Sequence, residues 1–337
     1  MHWRIKGTIQ KLLGIHPRGA FLHYHLQKRF GGLGDLRAEF ATKMDDWRLM
    51  AGHLRDAGMR IDNGRFMEIG SGWYPTFPLA LYLAGARRID SYDLTRHFRP
   101  QLLEACATLM GEHLDLVAEA SGTPRDQVGR RHAALVERLS AGGSLADATE
   151  GVVRYHAPAD ATRSGLEDGS IDVVFSNSVL EHVQRQTITA MFTEARRVLH
   201  PGGLMFHSVN CGDHYAYTDP RIGQLNYLQY SDRSWRFWDN RFLYQNRMRA
   251  YEFTDAAARL GFDVTLDTST PRPERLRELA SLRVHRQFRH VPPEKLCLTS
   301  VDFIARPNAG GRPHHRARSA AAGAMRSSLP SGASTSR

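Results

Sequence analysis

The pattern of apolar and polar positions along the chain predicts alternating strands and helices. Short, continuous apolar runs bounded by glycine or polar turns are typical of buried parallel strands. Seven such runs begin at or close to Phe66, Ile89, Val152, Ile171, Leu204, Phe262 and Leu296. Most are separated by segments whose apolar residues lie three and four positions apart, which indicates helices packed on a sheet. The pattern therefore predicts a doubly wound α/β fold with a seven-stranded, mostly parallel sheet.

Two helical segments lie outside this regular alternation. Residues 1–64 are predicted to form an N-terminal helical extension, in which Asp35 is placed to cap a helix that ends at Gly58. Residues 99–150 are more than a simple crossover needs, and we expect a helical insertion there. We expect the extension to act as a cap over the active site. Contact of its basic amphipathic start with a membrane surface is the alternative.

The net charge of +10 is concentrated at the two ends of the chain. Residues 1–30 contain six basic residues and no acid, and residues 307–337 contain five basic residues and no acid. Because the segment between them is close to neutral, we expect solvated basic ends; nucleic-acid or anionic-lipid contact is the alternative. Gly, Ser, Ala, Pro and Arg dominate residues 307–337, a composition that predicts a disordered tail.

Composition also bears on the location of the protein. The chain has no apolar run of the roughly 18 residues that a membrane-spanning helix needs, and its N-terminus lacks the apolar core of a secretory signal. Cys106, Cys211 and Cys297 are far apart, which argues against both a disulfide framework and a C-x-x-C zinc site. We expect a cytoplasmic protein with no bound metal, and the oligomeric state stays open.

A glycine turn follows the first predicted strand. Glu68-Ile-Gly70-Ser-Gly72 leads from that strand into a helix, and Asp93 ends the second strand about 20 residues later. Glycines let the backbone approach a ligand, and an acidic residue at this spacing is placed to bind ribose hydroxyls. Pro75 stands where a dinucleotide fingerprint needs its third glycine, which disfavours a dehydrogenase. The turn therefore predicts a site for a nucleoside cofactor.

Polar residues stand at the carboxyl ends of the first five predicted strands. In chain order they include Glu68, Asp93, Asp160, Asn177 and the segment from His207 to Asn210. Ligands of doubly wound sheets bind outside these strand ends. We therefore expect these residues to line one crevice.

The motif Glu68-x-Gly70-x-Gly72 and the run from Ala159 to Gly203 resemble the class I S-adenosylmethionine (SAM) methyltransferases of small-molecule type. The resemblance covers about residues 65–210. It implies a Rossmann-like fold, a methyltransferase domain over residues 65–306, and SAM as cofactor. By this resemblance, the methionine end of SAM would be held by Glu68, Gly70 and Gly72, and the ribose would be bound by Asp93. The adenine would contact Asp160 and Ala161, and Asn177 would lie close to the sulfonium.

Methyl transfer requires an acceptor aligned with the methyl carbon, and a hydroxyl acceptor also benefits from a base. His214, just past the fifth strand, is the predicted base, and Asp213 is predicted to orient it. His207 and His182 are the other candidates. A packing role for His214 is the alternative.

The segment of about residues 211–250 is rich in aromatic residues and arginines, and we expect it to form a lid on the acceptor side. Such a lid could stack a base or sugar, could hold an anion, or could simply pack on the sheet. The predicted function is methylation, at oxygen, of a small-molecule or glycan-like acceptor. An RNA or DNA methyltransferase is an alternative, although Ser176-Asn177-Ser178-Val179 is unlike the N/D-P-P-Y/F motif used on exocyclic amines. A non-catalytic SAM- or nucleotide-binding module is a further alternative.

Overall fold

The computed structural model describes residues 1–16, 22, 35–240 and 242–308. The predicted disordered tail lies outside the described residues except for its first two positions, Pro307 and Asn308.

Seven strands form a single sheet within these residues. They are β1 (Arg65–Ile69), β2 (Arg88–Tyr92), β3 (Val153–His156), β4 (Ile171–Asn177), β5 (Leu199–Asn210), β6 (Phe262–Asp267) and β7 (Ser300–Pro307). Their spatial order is β3-β2-β1-β4-β5-β7-β6. β7 pairs antiparallel with both of its neighbours, and the other pairs are parallel. The predicted seven-stranded, mostly parallel sheet is confirmed.

The strand order reverses next to β1, which is where doubly wound sheets bind ligands. The chain runs outward from β1 to β3 and then returns to pair β4 with the other side of β1. Glu68 on β1 is in register with Ser91 of β2 and Phe175 of β4. The carboxyl ends of β1, β2 and β4 therefore meet at one place.

Among the described residues, two helices precede the sheet: α1 (Trp3–Ile15) and α2 (Leu36–Asp56). As predicted, the Asp35 side chain caps α2, accepting a hydrogen bond from the backbone N–H of Ala38 at 3.0 Å. Phe40, Trp47 and Leu54 are fully buried on one face of α2. Burying each such side chain is worth about 1.5–3 kcal/mol, so this face fixes α2 against the sheet domain.

The predicted insertion consists of four helices between β2 and β3. They are α4 (Pro100–Met110), α5 (Leu114–Ser121), α6 (Arg125–Ser140) and α7 (Leu145–Ala148). Their buried residues join the hydrophobic core that α2 and α3 (Thr76–Leu83) build on one face of the sheet. The opposite face is covered by α8 (Arg185–Val198) and α10 (Ala250–Arg259).

Helix α1 packs on the segment that follows β5. The Trp3 ring contacts the Trp238 ring at a centroid distance of 4.7 Å, and its backbone N–H donates to Asp219 at 2.9 Å. Lys11 donates to the carbonyl of Phe237 at 2.8 Å. At least one basic side chain of the N-terminus, that of Lys11, therefore forms an intramolecular hydrogen bond.

Two predicted boundaries are wrong. β3 ends at His156 rather than near Asp160, because Pro158 cannot continue a ladder of hydrogen bonds. The chain enters β7 only at Ser300, after a short helix, α12 (Pro293–Leu296). Among the described helices, none combines the length and the apolar character needed to cross a membrane.

Candidate functional site

The glycine turn after β1 is held in a backbone conformation that only glycine adopts easily. Gly70 has φ +78° and Gly72 has φ +68°. A Cβ on Gly70 would lie 2.8 Å from a methyl group of Val179, whereas one on Gly72 would meet nothing within 4 Å. Gly70 therefore permits close packing on the loop after β4. Gly72 leaves open space in which a ligand can reach the backbone.

Glu68 is a buried carboxylate at the base of this turn. It accepts hydrogen bonds from the hydroxyl groups of Ser71 and, at 2.7 Å, Ser91. Burial raises the pKa of Glu68 to about 7, although the two serine hydrogen bonds oppose the shift. The group therefore titrates near neutral pH, where a nearby cation would favour its ionised form.

Asp93 follows β2 and faces the same turn. Its carboxylate accepts a hydrogen bond from the Tyr155 hydroxyl at 3.0 Å and another from the backbone of Gly72. Burial raises the pKa of Asp93 to about 6. Tyr155 is a site residue that sequence reasoning missed, because its distance of 62 positions from Asp93 gives no local signal.

A second missed feature is the pair of Trp73 and His97. Their rings are 4.7 Å apart, and the His97 backbone N–H donates to the Tyr155 hydroxyl at 3.1 Å. The Nδ1 atom of His97 is buried and has no hydrogen-bond partner within the described chain. Burial lowers the pKa of His97, so the ring is neutral. A buried polar atom without a partner indicates a place that a ligand can fill.

Asp160 and Ala161 lie in the loop after β3. Asp160 is exposed, and its Oδ1 accepts hydrogen bonds from the N–H and the hydroxyl of Thr162 at 2.9 and 2.8 Å. Ala161 is buried beside it. The loop is thus fixed by its own hydrogen bonds.

Asn177, at the end of β4, is bonded to the N-terminal extension. Its side-chain amide donates to Asp46 of α2 at 2.9 Å, and Lys43 lies 3.7 Å from the same carboxylate. α2 therefore reaches the carboxyl edge of the sheet and contacts a residue that the sequence assigns to the cofactor.

His207, one of the alternative bases, lies inside the core. It is fully buried, its Nδ1 is 2.7 Å from the Ser176 hydroxyl, and its ring packs between Phe192 and Phe303. Burial lowers the pKa of His207 to about 3. A side chain enclosed in this way cannot contact an acceptor.

The predicted pairing of Asp213 with His214 is wrong. The buried Asp213 carboxylate accepts from the backbone N–H of Tyr215 at 2.9 Å and from the Asn226 side chain at 2.8 Å. Its oxygens thereby cap the 3₁₀ turn His214–Tyr217 and tie it to the lid segment. Among the described contacts, none joins this carboxylate to the imidazole. Asp213 is therefore a structural residue.

His214 instead meets His182 and Glu181. The two imidazole rings are 4.9 Å apart in an edge-to-face arrangement, and potential ligand atoms of all three residues lie within 4.8 Å of one another. Burial is the main reason that the pKa of His214 falls to about 3, so its ring is neutral. Glu181 was not assigned a role from the sequence. Burial raises its pKa to about 8.

A cavity of about 620 Å³ adjoins this cluster. Two of its lining residues bond the histidines directly: the Tyr244 carbonyl accepts from His182 at 2.7 Å, and Gln245 accepts from the His214 N–H at 3.3 Å. Four charged residues of the lining form two ion pairs, Arg185 with Glu252 and Arg247 with Asp232.

Residues 137–207 match the family model described as a methyltransferase domain. The matched region runs from the end of the helical insertion to β5 and contains Asp160, Asn177, Glu181 and His182, but not the glycine turn. No curated protein sequence matches the chain at a significant level.

Solved structures of methyltransferases align with the chain at low identity. A SAM-dependent methyltransferase from Mesorhizobium loti aligns at 14% identity and a TM-score of 0.42, covering 75% of this chain and 95% of the other. A putative sarcosine dimethylglycine methyltransferase from Galdieria sulphuraria aligns at 15% and 0.42, covering 79% and 85%. The geranyl diphosphate C-methyltransferase from Streptomyces coelicolor aligns at 14% and 0.42, covering 77% of each chain. None of these alignments bears on the acceptor.

The sheet order, the glycine turn after β1 and the domain match point to the same conclusion. Residues 137–207 match a methyltransferase domain within a chain that has the class I, Rossmann-like methyltransferase fold.

Proposed function

We propose that the chain transfers the methyl group of SAM to a hydroxyl of a small, polar or glycan-like acceptor. The observation that carries the proposal is the neutral imidazole of His214 at the sheet edge that also bears the glycine turn. His214 follows β5 and the turn follows β1, and both strands are parallel to β4 between them. A proton acceptor and a cofactor-binding turn therefore open on the same side of the sheet.

The residues around the turn fit SAM. Glu68 offers a carboxylate for an ammonium group, and Asp93 offers one for ribose hydroxyls. Gly72 leaves its backbone accessible, and His97 presents a buried nitrogen without a protein partner. In this proposal, the methionine end contacts Glu68, Gly70 and Gly72, the ribose contacts Asp93, the adenine lies against Asp160 and Ala161, and Asn177 lies close to the sulfonium.

The bound cofactor supplies an electrophilic methyl carbon; transfer to a hydroxyl forms a carbon–oxygen bond and breaks a carbon–sulfur bond, releasing S-adenosylhomocysteine and a proton. His214 is the proposed acceptor of that proton. A neutral oxygen becomes strongly acidic once it is alkylated, so even a weakly basic imidazole can take its proton. The role requires a neutral ring, which burial ensures.

The cavity beside His182 and His214 supports a polar acceptor of moderate size. Its volume of about 620 Å³ lies in the range of small-molecule sites. The lining contains four arginines and three carboxylates, and Arg185 and Arg247 are paired with carboxylates, so its net charge is small. This favours a sugar-like or polyhydroxylated molecule over a strongly anionic one.

The proposal is tested by methyl-label transfer from SAM into size-fractionated cell extracts. We expect label in a small-molecule or glycan fraction, bound through an ether linkage that resists mild base. Label that appears only in nucleic acid, or none in any fraction while SAM binding is retained, would contradict the proposed acceptor class.

A further inference from the structure

Glu181, His182 and His214 form a cluster that the methyltransferase reaction does not fully explain. Glu181 and His182 belong to the 3₁₀ turn Leu180–His182 after β4, and His214 begins the turn after β5. Their potential ligand atoms lie within 4.8 Å of one another.

Glu181 is a buried carboxylate with one unused oxygen. Only 1% of its surface is exposed, and Oε1 accepts from the Asn210 N–H at 3.2 Å, whereas Oε2 is buried and has no partner within the described chain. Leaving a buried acceptor unsatisfied costs about 1–3 kcal/mol, and more for a charged group. A carboxylate placed in this way indicates a cationic ligand.

His182 is oriented as metal-binding histidines commonly are. Its Nδ1 lies 2.7 Å from the Tyr244 carbonyl, an oxygen that can only accept, so Nδ1 carries the proton. The other ring nitrogen, Nε2, is left with a free lone pair. Bonding of one ring nitrogen to a backbone carbonyl is the usual second-shell arrangement at metal sites. His182 is also exposed, which gives an ion a route from solvent.

His214 supplies a second unused nitrogen. Its Nε2 is buried without a hydrogen-bond partner in the described part of the chain, and the backbone N–H is fixed by Gln245 at 3.3 Å. A ring nitrogen without a protein partner is a potential metal ligand.

We propose that Glu181, His182 and His214 bind one divalent transition-metal ion of the zinc type. Two imidazole nitrogens and one carboxylate oxygen are the protein ligands of several catalytic zinc sites, which keep further positions open. In a tetrahedral site with bonds of about 2.1 Å, ligand atoms are roughly 3.4 Å apart. Because the potential ligand atoms lie within 4.8 Å of one another, the three side chains would move closer by at most about 1.4 Å on binding an ion.

The role of the ion in catalysis rests on the proposed function. An ion here would bind the acceptor hydroxyl at an open position and lower its pKa. The hydroxyl proton would pass to water, and the oxygen would form the new bond to carbon as the carbon–sulfur bond breaks. His214 would then serve as a ligand rather than as the base. The ligands are histidine and glutamate, so the absence of cysteine pairs does not argue against the site.

The test measures ion binding on the full chain, without an acceptor. Chelator-treated protein is titrated with Co²⁺, read by its visible absorption, and with Zn²⁺ in competition. We expect one Co²⁺ per chain. We expect binding to weaken more than about 100-fold in Glu181→Gln, His182→Ala and His214→Ala, a loss exceeding that typical of second-shell changes.

His200→Ala is the matched control. This exposed histidine lies at the other end of β5, and its replacement should leave Co²⁺ binding unchanged. A SAM titration of each variant shows that the fold is intact, and Glu181→Gln conserves the shape of the side chain.

Absence of Co²⁺ binding, or binding of equal strength in wild type and all three variants, would overturn the proposal. If no ion binds while methyl label still reaches a small molecule, the metal site fails and the proposed function stands. If the ion binds as expected but no acceptor is ever labelled, the metal site stands and the proposed function fails.

Discussion

The side-chain amide of Asn177 donates a hydrogen bond to Asp46 at 2.9 Å, although the two residues are 131 positions apart. Asn177 ends β4, and Asp46 lies on α2. This bond connects the N-terminal extension to the part of the sheet that the sequence assigns to the cofactor. α2 thus fixes the position of a site residue as well as covering the core.

We expect Asp46→Ala to lower the free energy of unfolding by about 1.5–3 kcal/mol, because a hydrogen bond to a charged group is lost. Chemical denaturation measures the change. Asp45→Ala is the control on the same helix: Asp45 forms an exposed ion pair with Arg48, worth about 0–1 kcal/mol. Equal effects of the two substitutions would show that the bond to Asn177 contributes nothing.

SAM binding should strengthen as the pH rises through about 7. In the free protein, burial raises the pKa of Glu68 to about 7, so the group is largely protonated at pH 6. The ammonium group of SAM favours the carboxylate, so binding releases a proton below this pH. The affinity gain is at most about tenfold per pH unit. It should be measured between about pH 6 and 7.5, because the α-amino group of SAM stays protonated in this range.

Calorimetry in two buffers of different ionisation enthalpy measures the released proton directly. Glu68→Gln should flatten the pH dependence, since glutamine does not titrate. An affinity that falls as the pH rises through this window would contradict the placement of the ammonium group at Glu68.

Tyr155 should contribute to SAM affinity through Asp93. Tyr155→Phe removes the hydroxyl that donates to the Asp93 carboxylate at 3.0 Å, and we expect affinity to drop by about fivefold, which corresponds to about 1 kcal/mol. Asp93→Ala should cost about tenfold or more. Tyr92→Phe is the matched control, because the Tyr92 hydroxyl donates to the Ser164 carbonyl and not to Asp93. A similar loss of SAM affinity in both tyrosine variants would show that the effect comes from a general disturbance of the sheet and not from the bond to Asp93.

Much of the fold and of the cofactor turn was predictable from local sequence. The strands are continuous apolar runs, and the turn needs glycine at positive φ, so both leave a signal in consecutive residues. The contacts of Tyr155, His97 and Asp46 join residues far apart in sequence and leave no such signal. Proximity in sequence was misleading for Asp213, whose carboxylate turns toward Tyr215 and Asn226 rather than toward His214.

Asp213→Ala should therefore act on stability. The substitution removes two hydrogen bonds to a buried carboxylate, and we expect the free energy of unfolding to decrease by about 2–4 kcal/mol. Asp263→Ala, at an exposed position on β6, should change it by less than about 0.5 kcal/mol. A loss of turnover in Asp213→Ala with unchanged stability would restore a catalytic role to this residue.

His214→Ala should separate methyl transfer from cofactor binding. We expect the SAM dissociation constant to stay close to the wild-type value, because the carboxylates assigned to SAM, Glu68 and Asp93, lie on β1 and after β2 rather than after β5. Turnover on the identified acceptor should fall by about 10²–10⁴-fold, the usual contribution of a positioned base. The same loss is expected if His214 holds a metal ion, and added Co²⁺ distinguishes the two roles: it should raise the rate of chelator-treated wild-type protein only if an ion takes part. A parallel loss of SAM affinity and turnover in His214→Ala would show that the residue is structural. If the variant retains most of its activity, His214 is neither the base nor a required metal ligand.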